Sequence, residues 1–183
     1  MFFTKAGDDG TTRTFSCDQR ISKSSKITEA LGALDEINSF LGLCKVQSVE
    51  SGFLLGDQSF SEIVQNIQQT LFVVGAELSG AGKTVDEEKV KELEFLTNTV
   101  EKILPPIKTF FISGGTELSA LFDVARTVAR RAERRVVAVS EEKKVVVSPQ
   151  TLAYLNRLSS LLYALARLSS HLSGVGEQSP NYK

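Results

Sequence analysis

Apolar residues return every three or four positions along most of this chain, and they never alternate for long. Ile27, Leu31, Leu34, Ile37, Leu41 and Cys44 form one such stripe. Ile63, Ile67, Leu71, Val74 and Leu78 form a second, and Val90, Leu93, Val100 and Leu104 a third. Leu118, Leu121, Ala125, Val128, Ala132 and Val136 make a fourth, and Leu152, Leu155, Leu158, Leu162, Leu165 and Leu172 a fifth. This is the period of a helix with one buried face. The fold class expected is all-α, a five-helix bundle behind an extended N-terminal arm, because short connections favour antiparallel neighbours. The fifth stripe is widened by Tyr154, Leu161 and Leu168, so that helix is expected to be central or shared with another subunit.

The punctuation between stripes supports the division. The first helix is expected from about Ser25, and the Gly-containing stretch Ser51 to Gly56 ends it. Ser59 with Glu62 reads as a capping box, and Thr84 with Glu87 as another. Gly80 and Gly82 stop the second helix, and Pro105-Pro106 closes the third. Ile107 to Ile112 reads as short and extended, followed by Ser113-Gly114-Gly115 and a fourth helix from about Thr116 to Val139. Lys143 and Lys144 sit in the next connection. Ser148 as N-cap and Pro149 in the first turn open the fifth helix, and Gly174 ends it. A chain of 183 residues fits one domain. Its expected parts are a polar arm over 1–22, the bundle over 23–174 and a polar tail over 175–183.

Composition removes several function classes. The net charge is -1, unlike the strongly basic balance of a nucleic-acid binder. Apolar runs such as Leu161 to Ala166 are far shorter than the ~18 residues of a membrane span. Cys17 and Cys44 cannot build a disulfide framework or a zinc site. The single histidine, His171, excludes a His-rich centre, and a Ser-His-Asp triad would have to use it. Its position near a helix C-terminus favours His⁺ for a dull reason. No signal or transit segment is visible, so a cytoplasmic chain is expected, or one in the mitochondrial matrix if a transit peptide was removed.

Ala81-Gly82-Lys83-Thr84 resembles the end of a P-loop. The motif needs a glycine five residues before Gly82, where Glu77 stands, and a preceding strand rather than a helix. A helix-helix loop accounts for all four residues.

The fourth helix is unusual for its arginines. Arg126, Arg130 and Arg134 are spaced four apart and form one stripe about 12 Å long, with Arg131 and Arg135 beside them and Glu133 the only acid among them. A solvated basic face is the ordinary fate of such a run, but it normally interleaves acids. An uncompensated stripe fits a phosphate better, because guanidinium forks match its oxygens. The arm Thr4-Lys5-Ala6-Gly7-Asp8-Asp9-Gly10-Thr11-Thr12-Arg13 adds a cation, hydroxyls and glycines that let backbone N–H groups approach an anion. A Gly-Asp turn in a frayed terminus would look the same. Asp35 and Asn38 sit beside the first stripe, and Asn156-Arg157 inside the fifth. Surface exposure at the stripe's edge is the plain alternative. A buried Asp would need a cation, and the Arg stripe is the obvious source.

Five of these pieces occur in an order that resembles the trimeric ATP:cob(I)alamin adenosyltransferases. They are Thr4-Lys5-x-Gly7-Asp8-x-Gly10, Asp35-Glu36-Ile37-Asn38-Ser39, Gly114-Gly115 followed by Ala125-Arg126-Thr127, Arg130-Arg131-Ala132-Glu133-Arg134, and Leu155-Asn156-Arg157-Leu158-Ser159. The resemblance runs from Thr4 to about Arg167. It implies a ferritin-like bundle of the adenosyltransferase type, a homotrimer with sites between subunits, and transfer of the 5′-deoxyadenosyl group of ATP to the cobalt of reduced cobalamin. It places Thr4, Lys5, Ala6 and Gly7 around ATP with Thr12 and Arg13 following, and adds Lys23, Arg130, Arg131, Glu133, Arg134 and Asn156. It puts Phe110 by the corrin face. Asp35, beside the first apolar stripe, is expected to pair with Arg126 of a neighbouring subunit, because Arg126 is the stripe arginine farthest from the Arg130–Arg134 cluster. Ser113 stands where the family often has Pro, Ser160 where it usually has Asp, and the tail is short.

The implied chemistry suits the composition. Co(I) is a strong nucleophile, so no Ser, Cys or His is needed for attack. The triphosphate leaving group needs cations: Lys5, Lys23, Arg130, Arg134 and Mg²⁺, whose protein ligands are not named by the sequence. Arg130, Arg134 and Phe110 are the expected catalytic residues. A cobalamin-dependent enzyme or a cobalamin reductase is a further expected partner; nucleic acid and membrane are not. The competing class is a non-catalytic helical bundle that binds ATP or another polyanion and acts through protein partners, and that would need neither Phe110 nor an apolar corrin site.

Overall fold

The computed structural model describes residues 3–14 and 19–182, so Cys17 and Lys183 lie outside the described residues. Five helices carry the fold: α1 Lys26–Ser51, α2 Phe60–Leu78, α3 Glu87–Ile103, α4 Glu117–Glu142 and α5 Pro149–Leu172. Two short antiparallel ladders flank α1. In the arm, β1 (Thr11–Thr12) pairs with β2 (Ile21–Ser22); between α1 and α2, β3 (Leu54–Leu55) pairs with β4 (Gln58–Ser59).

The helix ends follow local chemistry. Ser25, Ser59, Thr116 and Ser148 each accept a backbone N–H from three residues ahead, which satisfies a donor the helix leaves orphaned. Ser59 and Glu62 form the full capping box; its backbone and hydroxyl bonds hold the Glu62 carboxyl below its ordinary pKa. The box expected at Thr84 and Glu87 is not formed. Asp86 occupies the N-cap without a side-chain bond, so α3 starts later and is anchored by packing and by acids in its first turn. α4 runs past Val139 to Glu142 and ends on Lys143, a non-glycine residue in the left-handed region at φ 56°.

One apolar core joins all five helices. α4 packs between α1 and α5, α2 lies on α1, and α3 lies on α5. α5 is the central element: Leu155, Leu158, Leu161, Leu162, Leu165 and Leu168 are all fully buried. Two polar ties fix the packing. The Asn38 amide donates to the Gln68 carbonyl at 3.4 Å and Gln68 returns a bond to the Asn38 carbonyl at 3.0 Å. Glu77, buried on α2, accepts from the Ser148 backbone N–H, the Ser148 hydroxyl and the Thr151 hydroxyl. The residue that breaks the P-loop pattern is thus a carboxylate set on the positive end of α5. Cys44 is buried, and burial raises its thiol pKa to about 12, which leaves it protonated and inert. Among the described residues, no helix is long and apolar enough to cross a membrane.

Candidate functional site

The arm folds into a compact turn. Lys5 takes a positive φ of 59°, which lets Asp8 N–H reach the Lys5 carbonyl at 3.1 Å and Gly10 N–H reach the Gly7 carbonyl at 3.2 Å. Lys23, delivered by the β1–β2 ladder, donates its ammonium to the Gly7 carbonyl at 2.8 Å and its N–H to the Gly10 carbonyl at 3.0 Å. A Cβ at Gly7 would stand 2.9 Å from that ammonium, so only glycine admits this approach without a shift. Thr4, Lys5, Ala6, Gly7 and Lys23 therefore share one turn. Thr12 lies in the ladder, and Arg13 is exposed just beyond it.

Arg20 is the organiser that motif reading missed. Its guanidinium donates to the Ala6 carbonyl, to the Thr11 carbonyl at 3.0 Å and to Asp9 at 3.4 Å. Asp9 also accepts from the Thr11 hydroxyl at 2.7 Å; that bond, then the Thr11 backbone and Arg20, hold its carboxyl below the ordinary range. The sole sequence signal was a cation a hairpin's length from a Gly- and Asp-rich turn.

The α4 arginines are not alike. Arg131 pairs with Glu36 at 2.5 Å and Arg135 with Glu29 at 3.8 Å, both acids on α1. Arg126 pairs with Asp123 at 3.2 Å and lies 5.7 Å above the Tyr163 ring. So the run is not uncompensated as a whole: α1 neutralises one flank, and one turn of α4 neutralises Arg126. Arg134 donates to the Arg130 carbonyl at 3.0 Å, and neither Arg130 nor Arg134 has an acidic partner among the described residues. Beside them Asn156 donates to Glu133 at 3.1 Å and accepts from Arg157 at 3.3 Å, while Arg157 also meets Glu94 at 3.0 Å. Asn156 is thus fixed between an acid of α4 and a cation of its own helix. Asp35 is solvent-exposed on the single chain, without a partner there among the described residues.

Next to Arg130 opens a groove of about 830 Å³. The 107–115 segment makes one wall, α4 and α5 the floor, and the tail from Val175 to Gln178 the other wall. Phe110 is 78% exposed and faces this space among Ile107, Ile112 and Tyr163. Burial raises the Tyr163 phenol above its ordinary pKa, so it stays neutral. Arg130 lines the groove, and its carbonyl accepts from Arg134 one turn on, so the groove and the α4 arginine stripe meet at this residue. The Gly-Gly turn is required by packing: Gly114 has φ 102°, and a Cβ at Gly115 would lie 2.6 Å from the Ser170 hydroxyl of α5. Ser113 and Ser160 both line the groove. The tail, short as it is, reaches it: Ile112 N–H donates to the Gln178 carbonyl at 2.8 Å.

A histidine-poor bundle with an unpaired guanidinium, Arg130, lining a large groove that also carries Phe110 and Tyr163 defines a class: a helical protein suited to hold an anion beside a bulky ligand. Residues 2–169 match the family model of cobalamin adenosyltransferase. The chain is 35% identical to the corrinoid adenosyltransferase of Bacillus subtilis over 182 residues, covering 96% of this chain and 89% of that protein. It is 36% identical to the corrinoid adenosyltransferase PduO of Citrobacter freundii, covering 92% of this chain but only half the length of that longer relative. Among solved structures it resembles a phenylalanine-to-histidine variant of the PduO-type ATP:corrinoid adenosyltransferase of Lactobacillus reuteri complexed with cobalamin and ATP. The TM-score is 0.86 at 30% identity, covering 100% of this chain and 97% of that one. An arginine-to-lysine variant of the same Lactobacillus enzyme, complexed with ATP, gives 0.84 at 29% identity, covering 98% and 100%. The chain belongs to the cobalamin adenosyltransferase family.

Proposed function

We propose that this chain transfers the 5′-deoxyadenosyl group of MgATP to the cobalt of cob(I)alamin, giving adenosylcobalamin and triphosphate. The cobalt lone pair forms the Co–C bond as the C5′–O bond breaks, and the bonding electrons leave with triphosphate. The observation that carries the reading is Arg130, without an acidic partner among the described residues, in the α4 arginine stripe and lining the groove that holds Phe110. Arg130 and Arg134 are placed to stabilise the charge that grows on the leaving group. Thr4, Lys5, Ala6, Gly7, Thr12, Arg13 and Lys23 would hold the nucleotide, with Arg131, Glu133 and Asn156 completing its site. Among the described residues no cluster of three His, Cys, Asp or Glu side chains stands ready for a metal, so Mg²⁺ would arrive on the phosphates. Phe110 would sit against the corrin and disfavour an axial water, which makes Co(II) easier to reduce. The non-catalytic binder has no use for this groove or this aromatic.

No hydrogen bond or ion pair among the described residues joins the arm to Arg130 or Arg134 within the chain. A homotrimer in which one subunit's arm meets another's α4 would bring the two halves together, with Asp35 and Arg126 paired across the same boundary. Residues 1–183 act as one unit in this reading, supported by the single core. A cytoplasmic or matrix location fits, as does hand-off to a cobalamin-dependent enzyme or supply by a reductase. Under anaerobic conditions, reduced cobalamin and MgATP should yield the spectrum of adenosylcobalamin with the protein present. An unchanged spectrum would end the enzyme reading.

A further inference from the structure

Arg167 makes more contacts than any role so far requires. Its side chain is only 9% exposed, although it sits on the groove side of α5. Nε and one terminal nitrogen both donate to the Glu177 carboxylate of the tail. The same terminal nitrogen donates to the Pro105 carbonyl at 3.0 Å. The guanidinium face stands 5.2 Å over the Phe111 ring. One side chain thus holds both walls of the groove, and the Ile112–Gln178 backbone bond closes the bridge between them at 2.8 Å.

The consequence falls on Phe110. Phe111, the chain neighbour of Phe110, is held under the guanidinium, and Phe110 stands exposed beside it in the same groove. Among the described residues the Phe110 ring has no aromatic partner, and the residues before it, Ile107 to Thr109, are exposed. A planar guanidinium can fork to a carboxylate, reach a carbonyl and stack on a ring together, which an ammonium cannot do.

We propose that Arg167 is a positioning residue for the corrinoid step: with Glu177 it clasps the tail to the 105–112 segment and so fixes Phe110 in the groove. The inference rests on the corrin reading of that groove. It is separable from it, because the clasp has a signature in the protein without ligands.

The test compares wild type with Arg167→Lys, Arg167→Ala and Glu177→Gln. In the ligand-free protein, hydrogen exchange at the Ile112 amide should quicken by on the order of tenfold or more in both Arg167 variants, and less in Glu177→Gln, while core amides of α5 keep their protection. With cob(II)alamin and MgATP, the four-coordinate Co(II) spectrum should weaken and KM for the corrinoid should rise roughly tenfold, with KM for ATP within about twofold of wild type. Unchanged Ile112 exchange in Arg167→Lys would overturn the clasp. Faster exchange with an unchanged corrinoid KM and Co(II) spectrum would overturn its role in positioning. A wild-type protein that shows no corrinoid signal would remove the function itself and the positioning role with it, whatever the exchange rates.

Discussion

Arg130→Ala separates phosphate binding from structure more cleanly than any other change on α4. The side chain is exposed, and among the described residues it forms no ion pair. Removing it therefore strands no acid and opens no core cavity, and surface changes of that kind cost within about 0.5 kcal/mol. For a chain of this size that is a shift in Tm of roughly 2 °C or less. Relief of like-charge repulsion from Arg126 and Arg134, one turn away on either side, works in the stabilising direction by a few tenths of a kcal/mol. The loss to function is much larger. A hydrogen bond to a charged group contributes about 1.5–3 kcal/mol, so kcat/KM for ATP should fall roughly 10- to 150-fold. Steady-state adenosylation at saturating reduced cobalamin, with ATP varied, reads this directly, and a thermal melt at the same protein concentration supplies the control. Wild-type kinetics with an unchanged melt would return Arg130 to an ordinary solvated surface. A collapse in Tm would show that the side chain supports the fold, contrary to its lack of partners.

Phe110→Ala should reduce the yield of four-coordinate Co(II) while leaving nucleotide affinity within about twofold; equal spectra in both proteins would exclude the ring from the reaction. Glu77→Ala orphans the Ser148 N–H and the Thr151 hydroxyl at the start of α5 and should cost about 3–5 kcal/mol by denaturation, whereas Glu77→Gln, which keeps an acceptor, should cost about 1–2; equal losses would refute the capping account. The Glu62 carboxyl has a depressed pKa in the folded chain, so the stability it adds is present above its ordinary value of 4.5 and is lost as pH falls below it. The difference in melting between wild type and Glu62→Gln should therefore vanish in acid, and a gap that persists there would contradict the assignment. Asp35→Asn and Arg126→Ala should each loosen the assembly seen by sedimentation, and the pair should cost less together than summed if the two meet across subunits; strict additivity would deny the contact. Arg126→Ala carries an extra cost, since it also strands Asp123, whose side chain is 12% exposed.

The helices were legible because their signals are local. Ser25, Ser59, Thr116 and Ser148 cap the helices they precede, and the apolar stripes mark the faces that are buried. The failure at Thr84 and Glu87 is instructive, because the spacing of a box was present and the cap still fell two positions later, on Asp86, with two acids in the first turn. A two-residue pattern is weak evidence against the packing of Val90, Leu93 and Leu96. The polar arm could be read for its glycines and its lysines, but not for Arg20, since the pinning of carbonyls by a cation across a hairpin leaves no period in the sequence. The groove was least legible. Its walls meet through Arg167 with Glu177, and Ile112 with Gln178, contacts between segments that carry no motif and look like a linker and a tail.

The sorting of the arginines follows from where α4 lies. In a bundle it has α1 on one side and α5 on the other. Residues 131 and 135 fall one turn apart on the α1 side, opposite Glu36 and Glu29, which lie two turns apart on an antiparallel neighbour and present their carboxylates in matching order. On the α5 side, the α4 acid Glu133 bonds Asn156. The stripe that remains, Arg126, Arg130 and Arg134, faces neither neighbour's acids, and only Arg126 draws a carboxylate from its own helix. Among the described residues Arg130 and Arg134 have no carboxylate to offset their mutual repulsion. Exposed Lys and Glu at the same positions would have given a soluble helix without it. A fold that keeps two bare guanidiniums one turn apart, one of them lining the large groove, is arranged for an anion that is not part of the chain.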